Sequence, residues 1–594
     1  EGIDSSNIKI TVKEVINENN KKKVSYSEEM VISAGSISFD NEAYFVKEDK
    51  TYKLEWSSSL IFPELQRDYK VRVETLSGKR GSILDRNGNP LAYDGTISQV
   101  GIVPGKLGDN REESISKISE LTGVSVETIN NYLSASYVKD DTFVPIRKVA
   151  KDDTELKEQL LQIPGIMIND AKGRVYPLGE DAGHLIGYVQ AINAEELEKY
   201  ADKGYSSTSL IGKSGLEAAY EDRLRGTDGV RIYIEDVDGN EIKTLAEQKQ
   251  KDGEDITLTI DSDIQTKLYS QLQNDKGLFV VMQPATGELL ALVSTPTFDS
   301  NDFTLGMTTD QWNALNNDEA KPLYNRFIQK YCPGSTFKAI TGAIGLTTGS
   351  ITADEDFGYT GTSWQKDSSW GDYRVTTLTA YNGPKNLLNG LMYSDNIYFA
   401  QTALRIGTSK FTESLDKIGF NKQLEFPLSL ATSQYANEDG INSDGKLADT
   451  GFGQGNLLIN PIHMASIYSG FYNNGDMVKP YIEYKEDKTP EILIEDAFSE
   501  EAANTIKEDL IQVVERGSAN DMKVNGVTIA GKTGTAELKT DKEDNESGTL
   551  GWFDCFTTDQ GENDILVISM VENVQDNTEG GSHYLIKMIR TLFE

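Results

Sequence analysis

Over its first 62 residues the chain alternates apolar and polar positions in short runs: IKITVKEV, KKKVSYSEEMVIS, ISFDNEAYFV and TYKLEW. A period of two places the apolar side chains on one face of a pleated strand, so this stretch predicts an antiparallel strand set with polar turns. Residues 63–253 mix strand-like pieces, YKVRVETL and SQVGIVPG, with a charged helical piece, DDTELKEQLLQI, and a glycine turn, DRNGNPL. This middle region predicts a mixed, elongated α+β module.

Residues 254–594 are richer in core-forming runs. TLTIDSDIQTKLYSQL predicts a strand, an Asp cap and a helix; GLFVVMQPATGELLALVS predicts two buried strands around a P-A-T-G turn. A helical signal follows in FKAITGAIGL, then three more strands in GVTIAGKTGTAEL, LGWFDCFTT and DILVISMVEN, and a closing helix in SHYLIKMIRTLF. That order predicts an antiparallel sheet sandwiched by helices, within a multidomain α+β chain. No internal repeat or low-complexity tract interrupts it.

Composition narrows the function. Hydrophobic residues at 38% and charged residues at 26% describe a globular chain, and 594 residues exceed what one core sustains. The net charge is −36, with acidic residues spread along the whole length. Such a field repels nucleic acid and anionic lipid, which disfavours DNA or RNA as a partner. No apolar run approaches the roughly 18–20 residues of a membrane helix. The chain begins EGIDSS, with neither initiator Met nor signal peptide, and reads as trimmed of any N-terminal anchor.

The candidate chemistry centres on YCPGSTFKAITGAIGL, residues 331–346. Ser-x-x-Lys alone is weak, since Ser114/Lys117, Ser136/Lys139 and Ser414/Lys417 repeat it as solvated pairs. Context singles out Ser335 and Lys338. Pro333-Gly334 leads into a helix whose Phe337, Ile340, Ala343 and Ile344 read as buried. Ser335 then sits at a helix N-terminus, where free N–H groups favour developing negative charge. Lys338 lies one turn on and, desolvated beside a second cation, has a lowered pKa suited to taking the serine proton. Downstream come Ser394-Asp395-Asn396, in YSDNIYFAQ, and Lys532-Thr533-Gly534-Thr535, in AGKTGTAEL.

Ser-x-x-Lys, Ser-Asp-Asn and Lys-Thr-Gly in this order are a signature of β-lactamases and penicillin-binding proteins. The chain resembles a class B penicillin-binding protein, specifically the methicillin-resistance, low-affinity type of Gram-positive bacteria. The likeness extends to KRGSILDRNGNPLA, RVYPLGEDAGHLIGYV, GKSGLEAAYEDRLRGTDG, WQKDSSWGDYRVT and GFGQGNLLINPIHMA. Residues 1–62 resemble the strand half of a nuclear-transport-factor-like domain, 63–253 the dimerisation or pedestal domain, and 254–594 the penicillin-binding transpeptidase domain.

The resemblance implies a peptidoglycan D,D-transpeptidase with no cofactor required for the chemistry. Ser335 is then the nucleophile on a D-Ala-D-Ala stem peptide and Lys338 its base. Ser394 relays a proton, Asn396 holds the acyl amide, and Lys532 steers the terminal carboxylate toward Thr533 and Thr535 beside Gly534. The N–H groups of Ser335 and Thr535 form the oxyanion hole. β-Lactams would acylate Ser335. A second stem peptide supplies the acceptor amine, and a membrane glycosyltransferase is the implied partner. The implied location is the outer face of the cytoplasmic membrane; this chain itself is expected to be a soluble monomer. Rival readings are a D,D-carboxypeptidase, a β-lactam-hydrolysing or sensing protein, and, from another class, a non-catalytic wall-synthesis scaffold.

Two cysteines cannot form a disulfide framework. Cys332 stands where the family shows a small or apolar residue, and Cys555 lies on the strand expected beside Lys-Thr-Gly. Three readings stay open: ordinary buried cysteines, a Cys332–Cys555 disulfide, or a structural zinc held by Cys332, Cys555, His583 and Asp554. In the last, Asp554 and Cys555 are neighbours on a strand and need a bulge or a strand end to face one ion.

Overall fold

Two-residue turns at Asn19-Asn20 and Asp49-Lys50 close two of the predicted hairpins. Asn19 and Asp49 take positive φ (51° and 56°), a region that short polar side chains tolerate. The computed structural model describes residues 8–32, 35–537, 548–559, 561–576 and 581–593. They form two compact units: Glu1–Ser82 with Asn193–Ser207 and Glu221–Asp255, and Ile83–Ile192 with Thr208–Tyr220 and Ile256–Glu594.

In the first unit, strands Ile8–Glu18, Lys21–Ile32, Gly35–Glu48 and Thr51–Leu54 pair antiparallel in sequence order. The period-two pattern decides the inner face: Tyr26, Glu28, Met30 and Ile32 are buried while Glu29 and Val31 are exposed. A second sheet, in the order Glu241–Gln248, Gly229–Glu235, Lys70–Leu76, adds Ile232 and Ile234 to a core with Met30, Ile37 and Phe62.

The second unit contains the predicted sandwich. Its five-stranded antiparallel sheet runs in the order Leu289–Thr295, Gly277–Met282, Leu566–Glu572, Thr549–Thr557, Ile529–Glu537. All residues of the first two strands are buried, which explains why GLFVVM and LLALVST read as continuous apolar runs without alternation. Asp261 caps helix Ser262–Leu272 by accepting from the N–H groups of Asp263 and Ile264. That helix packs with His583–Arg590 on the sheet, and Lys338–Thr347, Pro461–Tyr472 and Glu500–Arg516 form another helical layer. Among the described residues, no helix is long and apolar enough to cross a membrane.

The same unit holds a smaller sheet in which the long strand Pro90–Ile102 pairs with both Val144–Val149 and Ile166–Val175. Helices Arg111–Thr122 and Val126–Leu133 close it through Ile115, Ile118 and Ile129. Arg174, on the third of these strands, is fully buried with Glu217 (Nε–Oε1 2.7 Å), and its Nη1 reaches Asp94 at 3.2 Å. Removing one member strands the other's charge, at a cost of about 3–5 kcal/mol. Arg174→Met should therefore lower stability by about 3 kcal/mol in urea unfolding, whereas truncating the exposed Lys117 of the Lys117–Glu113 pair should change it by less than about 0.5 kcal/mol.

Candidate active site

The chain turns sharply before Ser335 because Gly334 adopts φ +57°, where a side chain would also meet the Thr535 carbonyl oxygen at 2.4 Å. Gly334 N–H donates to the Gly453 carbonyl (2.9 Å), Trp552 Nε1 donates to the Cys332 carbonyl (3.0 Å), and Tyr468 Oη donates to the Thr336 carbonyl (2.7 Å). These contacts fix a single 3₁₀ turn, Gly334–Phe337, that runs into helix Lys338–Thr347. Phe337, Ile340, Ala343 and Ile344 are buried, as the sequence pattern requires.

Lys338 has no exposed surface. Its Nζ lies 2.6 Å from Asn396 Oδ1, 2.7 Å from the Ser394 carbonyl, 2.9 Å from Ser335 Oγ and 3.1 Å from Ser394 Oγ. Burial, reinforced by the Lys532 charge and opposed by Asp395, holds its pKa well below the ordinary lysine range. A neutral amine has two N–H donors and one lone pair. The Ser394 and Asn396 carbonyl oxygens can only accept, so they take the two donors and leave the lone pair for the Ser335 hydroxyl.

Ser394 reaches this position through φ +53°, strained for a serine, between helices Leu387–Met392 and Asn396–Ile406. Asp395 caps the second helix through the N–H groups of Ile397 and Tyr398, and accepts from the Tyr381 hydroxyl at 3.0 Å. Asn396 Nδ2 donates to the Thr376 carbonyl (2.9 Å), which orients the amide and leaves a second N–H.

Lys532 is also fully buried, on the edge strand Ile529–Glu537. It donates to Ser394 Oγ (3.1 Å) and to the Thr533 carbonyl (2.9 Å), and burial pushes it down to about 7 against the pull of Asp554. Gly534 is required where the strand passes the serine turn, since a Cβ there would meet Thr336 Cγ2 at 2.8 Å. Thr533 pairs its hydroxyl with Ser518 Oγ at 2.9 Å, and Thr535 is exposed. The structure therefore gathers Ser335, Lys338, Ser394, Asn396 and Lys532 into one hydrogen-bonded cluster, with Gly534 and Thr535 against the Ser335 turn. Leu538 and Lys539, the end of GKTGTAELK, lie outside the described residues.

The zinc reading is corrected. Among the described residues no group of three or more His, Cys, Asp or Glu is placed to hold a metal. Cys332 donates its thiol to the Gly453 carbonyl at 3.1 Å, and burial pushes it up to about 11, so it stays protonated. Asp554 and Cys555 follow one another on strand Thr549–Thr557, whose ladders to both neighbours run without a bulge, so they face opposite ways. His583 is engaged elsewhere, with Asp521 (2.9 Å), and is substantially exposed. Both cysteines are free and buried; the disulfide is likewise absent.

Several contributors carried no role in the sequence reading. Thr376 closes WQKDSSWGDYRVT and Gly453 sits in GFGQGNLLINPIHMA, so their segments were conspicuous, but both act through backbone carbonyls that no residue type announces. Ser518 is an isolated hydroxyl with no motif around it.

Comparison with known proteins agrees with this geometry. Family models match a penicillin binding protein transpeptidase domain over residues 277–591, a penicillin-binding protein dimerisation domain over 75–258, and an NTF2-like N-terminal transpeptidase domain over 1–69. The chain is 42% identical to Penicillin-binding protein 3 of Bacillus subtilis (strain 168), across 99% of its own length and 88% of that protein. It is 30% identical to the peptidoglycan D,D-transpeptidase MrdA of Escherichia coli (strain K12), across 70% of its length and 67% of that protein. Its fold is shared by a chain from the complex between Penicillin-Binding Protein (PBP2) and MreC from Helicobacter pylori, with TM-score 0.68 and 24% identity, covering 88% of this chain and 99% of that one. The chain belongs to the penicillin-binding protein transpeptidase family, as a class B member.

Proposed function

We propose that this chain is a serine-type peptidoglycan D,D-transpeptidase that works through a Ser335 acyl-enzyme. The observation that carries the reading is the 2.9 Å approach of a fully buried Lys338 amine to the Ser335 hydroxyl. Lys338 takes the hydroxyl proton as Ser335 Oγ bonds to the carbonyl carbon of the penultimate D-Ala. The C–N bond to the terminal D-Ala then breaks, and the leaving nitrogen receives a proton through the Lys338–Ser394 contact. An amine of a second stem peptide attacks the ester, gives up a proton along the same path, and releases Ser335.

Other residues serve the same displacement. The Ser335 and Thr535 backbones are brought together by the Gly334 contact, and their N–H groups serve the oxyanion. The second N–H of Asn396 holds the acyl amide, and Lys532 with the Thr533 and Thr535 hydroxyls receives the terminal carboxylate. Strand Ile529–Glu537 is a sheet edge, whose unpaired backbone groups suit an extended peptide. A β-lactam is attacked in the same way, but its opened ring stays attached and blocks the acceptor.

Peptidoglycan is assembled outside the cytoplasmic membrane, so this reading places the enzyme on its outer face, held by an N-terminal anchor and working beside a glycosyltransferase. The match of residues 1–69 to an NTF2-like N-terminal transpeptidase domain is the feature that favours the low-affinity, methicillin-resistance subtype.

Intact-mass analysis with a labelled penicillin should show one stable adduct per chain, lost in Ser335→Ala. Rapid release of the label would point instead to a hydrolase, and no adduct to a scaffold. Gly334→Ala should fold yet acylate about 100-fold more slowly, because the added methyl displaces the serine turn from the Thr535 strand; an unchanged rate in stopped-flow acylation would refute that packing constraint.

A further inference from the structure

Asp554 lies beneath the active site without a part in the reaction described above. It is fully buried, its Oδ2 has no hydrogen-bond partner within bonding geometry among the described residues, and its Oδ1 receives a long 3.4 Å contact from Ser569 N–H. A bare carboxyl oxygen in a packed interior is a cost to folding, so stability does not explain the residue. Its register does. Asp554 stands directly opposite Lys532 in an unbroken antiparallel ladder, which puts both side chains on one face with Cβ atoms roughly 5 Å apart.

The other groups around it are uncharged or more distant. On the Ser335 turn, the Thr336 hydroxyl contacts the Pro333 carbonyl (3.0 Å) and also lies close enough to Asp554 to hold its carboxyl down against burial. On helix Pro461–Tyr472, burial and the Asp554 charge keep the Tyr468 phenol neutral. Ser569 occupies strand Leu566–Glu572, and Cys555, next along the chain, faces the other way and is pushed up as a thiol by burial. Beyond Lys532 comes Lys338, and Asp395 acts on Lys338.

Lys338 and Lys532 both lie 3.1 Å from Ser394 Oγ. Two buried ammonium ions so linked repel each other, which disfavours a charge on both at once. The reaction needs that charge on Lys532, for the substrate carboxylate, and needs Lys338 as the free base. We propose that Asp554 is a positioning residue that holds the positive charge of the lysine pair on Lys532 and thereby leaves Lys338 neutral. Burial raises the carboxyl to about 8 and lowers Lys532 to about 7, while each charge favours the other, so the pair changes protonation close to neutral pH and its balance is sensitive to the carboxylate. The inference rests on the reading of Ser335 as nucleophile and Lys338 as base.

The test is Asp554→Asn, isosteric and uncharged, with second-order acylation rates measured across pH for a penicillin bearing its free carboxylate and for its methyl ester. For the free acid the bell-shaped profile should narrow from both sides, each limb moving by about half a pH unit or more. The acid limb rises because Lys338 gains the proton, and the alkaline limb falls because Lys532 loses it. For the ester only the acid limb should move. Limbs that stay in place for both agents, with or without a uniform loss of rate, would overturn the proposal. So would an Asn variant that fails to fold, which would make Asp554 structural. Wild-type protein that is not acylated at all would instead remove the underlying reading, before any variant is made.

Discussion

The site depends on one constraint, that Lys338 is buried with no carboxylate among the described residues in direct contact. An ammonium there would lose its hydration and gain only hydroxyl and carbonyl oxygens, at an effective cost of several kcal/mol. The group therefore sheds its proton, and its surroundings assign its remaining valences. Two carbonyl oxygens take the two N–H groups, and the lone pair is left for Ser335. The strained Ser394 backbone and the Thr376-oriented Asn396 amide supply those carbonyl oxygens, so on the proposed reading both are parts of the base as much as of the substrate site.

The fold then has to bring three separate segments within hydrogen-bond reach and keep water from the lysines. The layered arrangement does this with a rigid sheet on one side and capped helices on the other. Asp395 is a clear case of economy: it caps the Asn396 helix, anchors Tyr381, and places a negative charge that tempers the Lys338 shift. Close approach of the serine turn to the edge strand is possible because Gly334 and Gly534 meet there without side chains. On the proposed reading, the charge problem is split between two lysines, one neutral for proton transfer and one charged for carboxylate capture.

Much of this was legible in the sequence, and the parts that were not share a physical reason. Period-two alternation gave the N-terminal hairpins, and unbroken runs such as GLFVVM gave strands covered on both faces, because those patterns are direct records of burial. Ser335, Lys338, Ser394, Asn396 and Lys532 could be singled out, and lie together in the structure, because three motifs fix residue types at fixed local spacing. Register between distant strands leaves no such trace. The convergence of Cys332, Cys555, Asp554 and His583 failed for that reason: continuous pairing sends Asp554 and Cys555 to opposite faces, and His583 finds Asp521 instead. The same register that dissolves the zinc site places Asp554 opposite Lys532. Backbone acceptors such as the Thr376 and Gly453 carbonyls were invisible because every residue carries one.

The protonation state of Lys338 is the hinge of the whole account, and it can be observed without turnover. Nitrogen-15 NMR of lysine-labelled protein at pH 7, with the Nζ resonance assigned by a Lys338→Arg variant, reports it directly. A neutral-amine chemical shift for Lys338 is the predicted result. An ammonium shift at that pH would contradict the proton path from Ser335 and require another base.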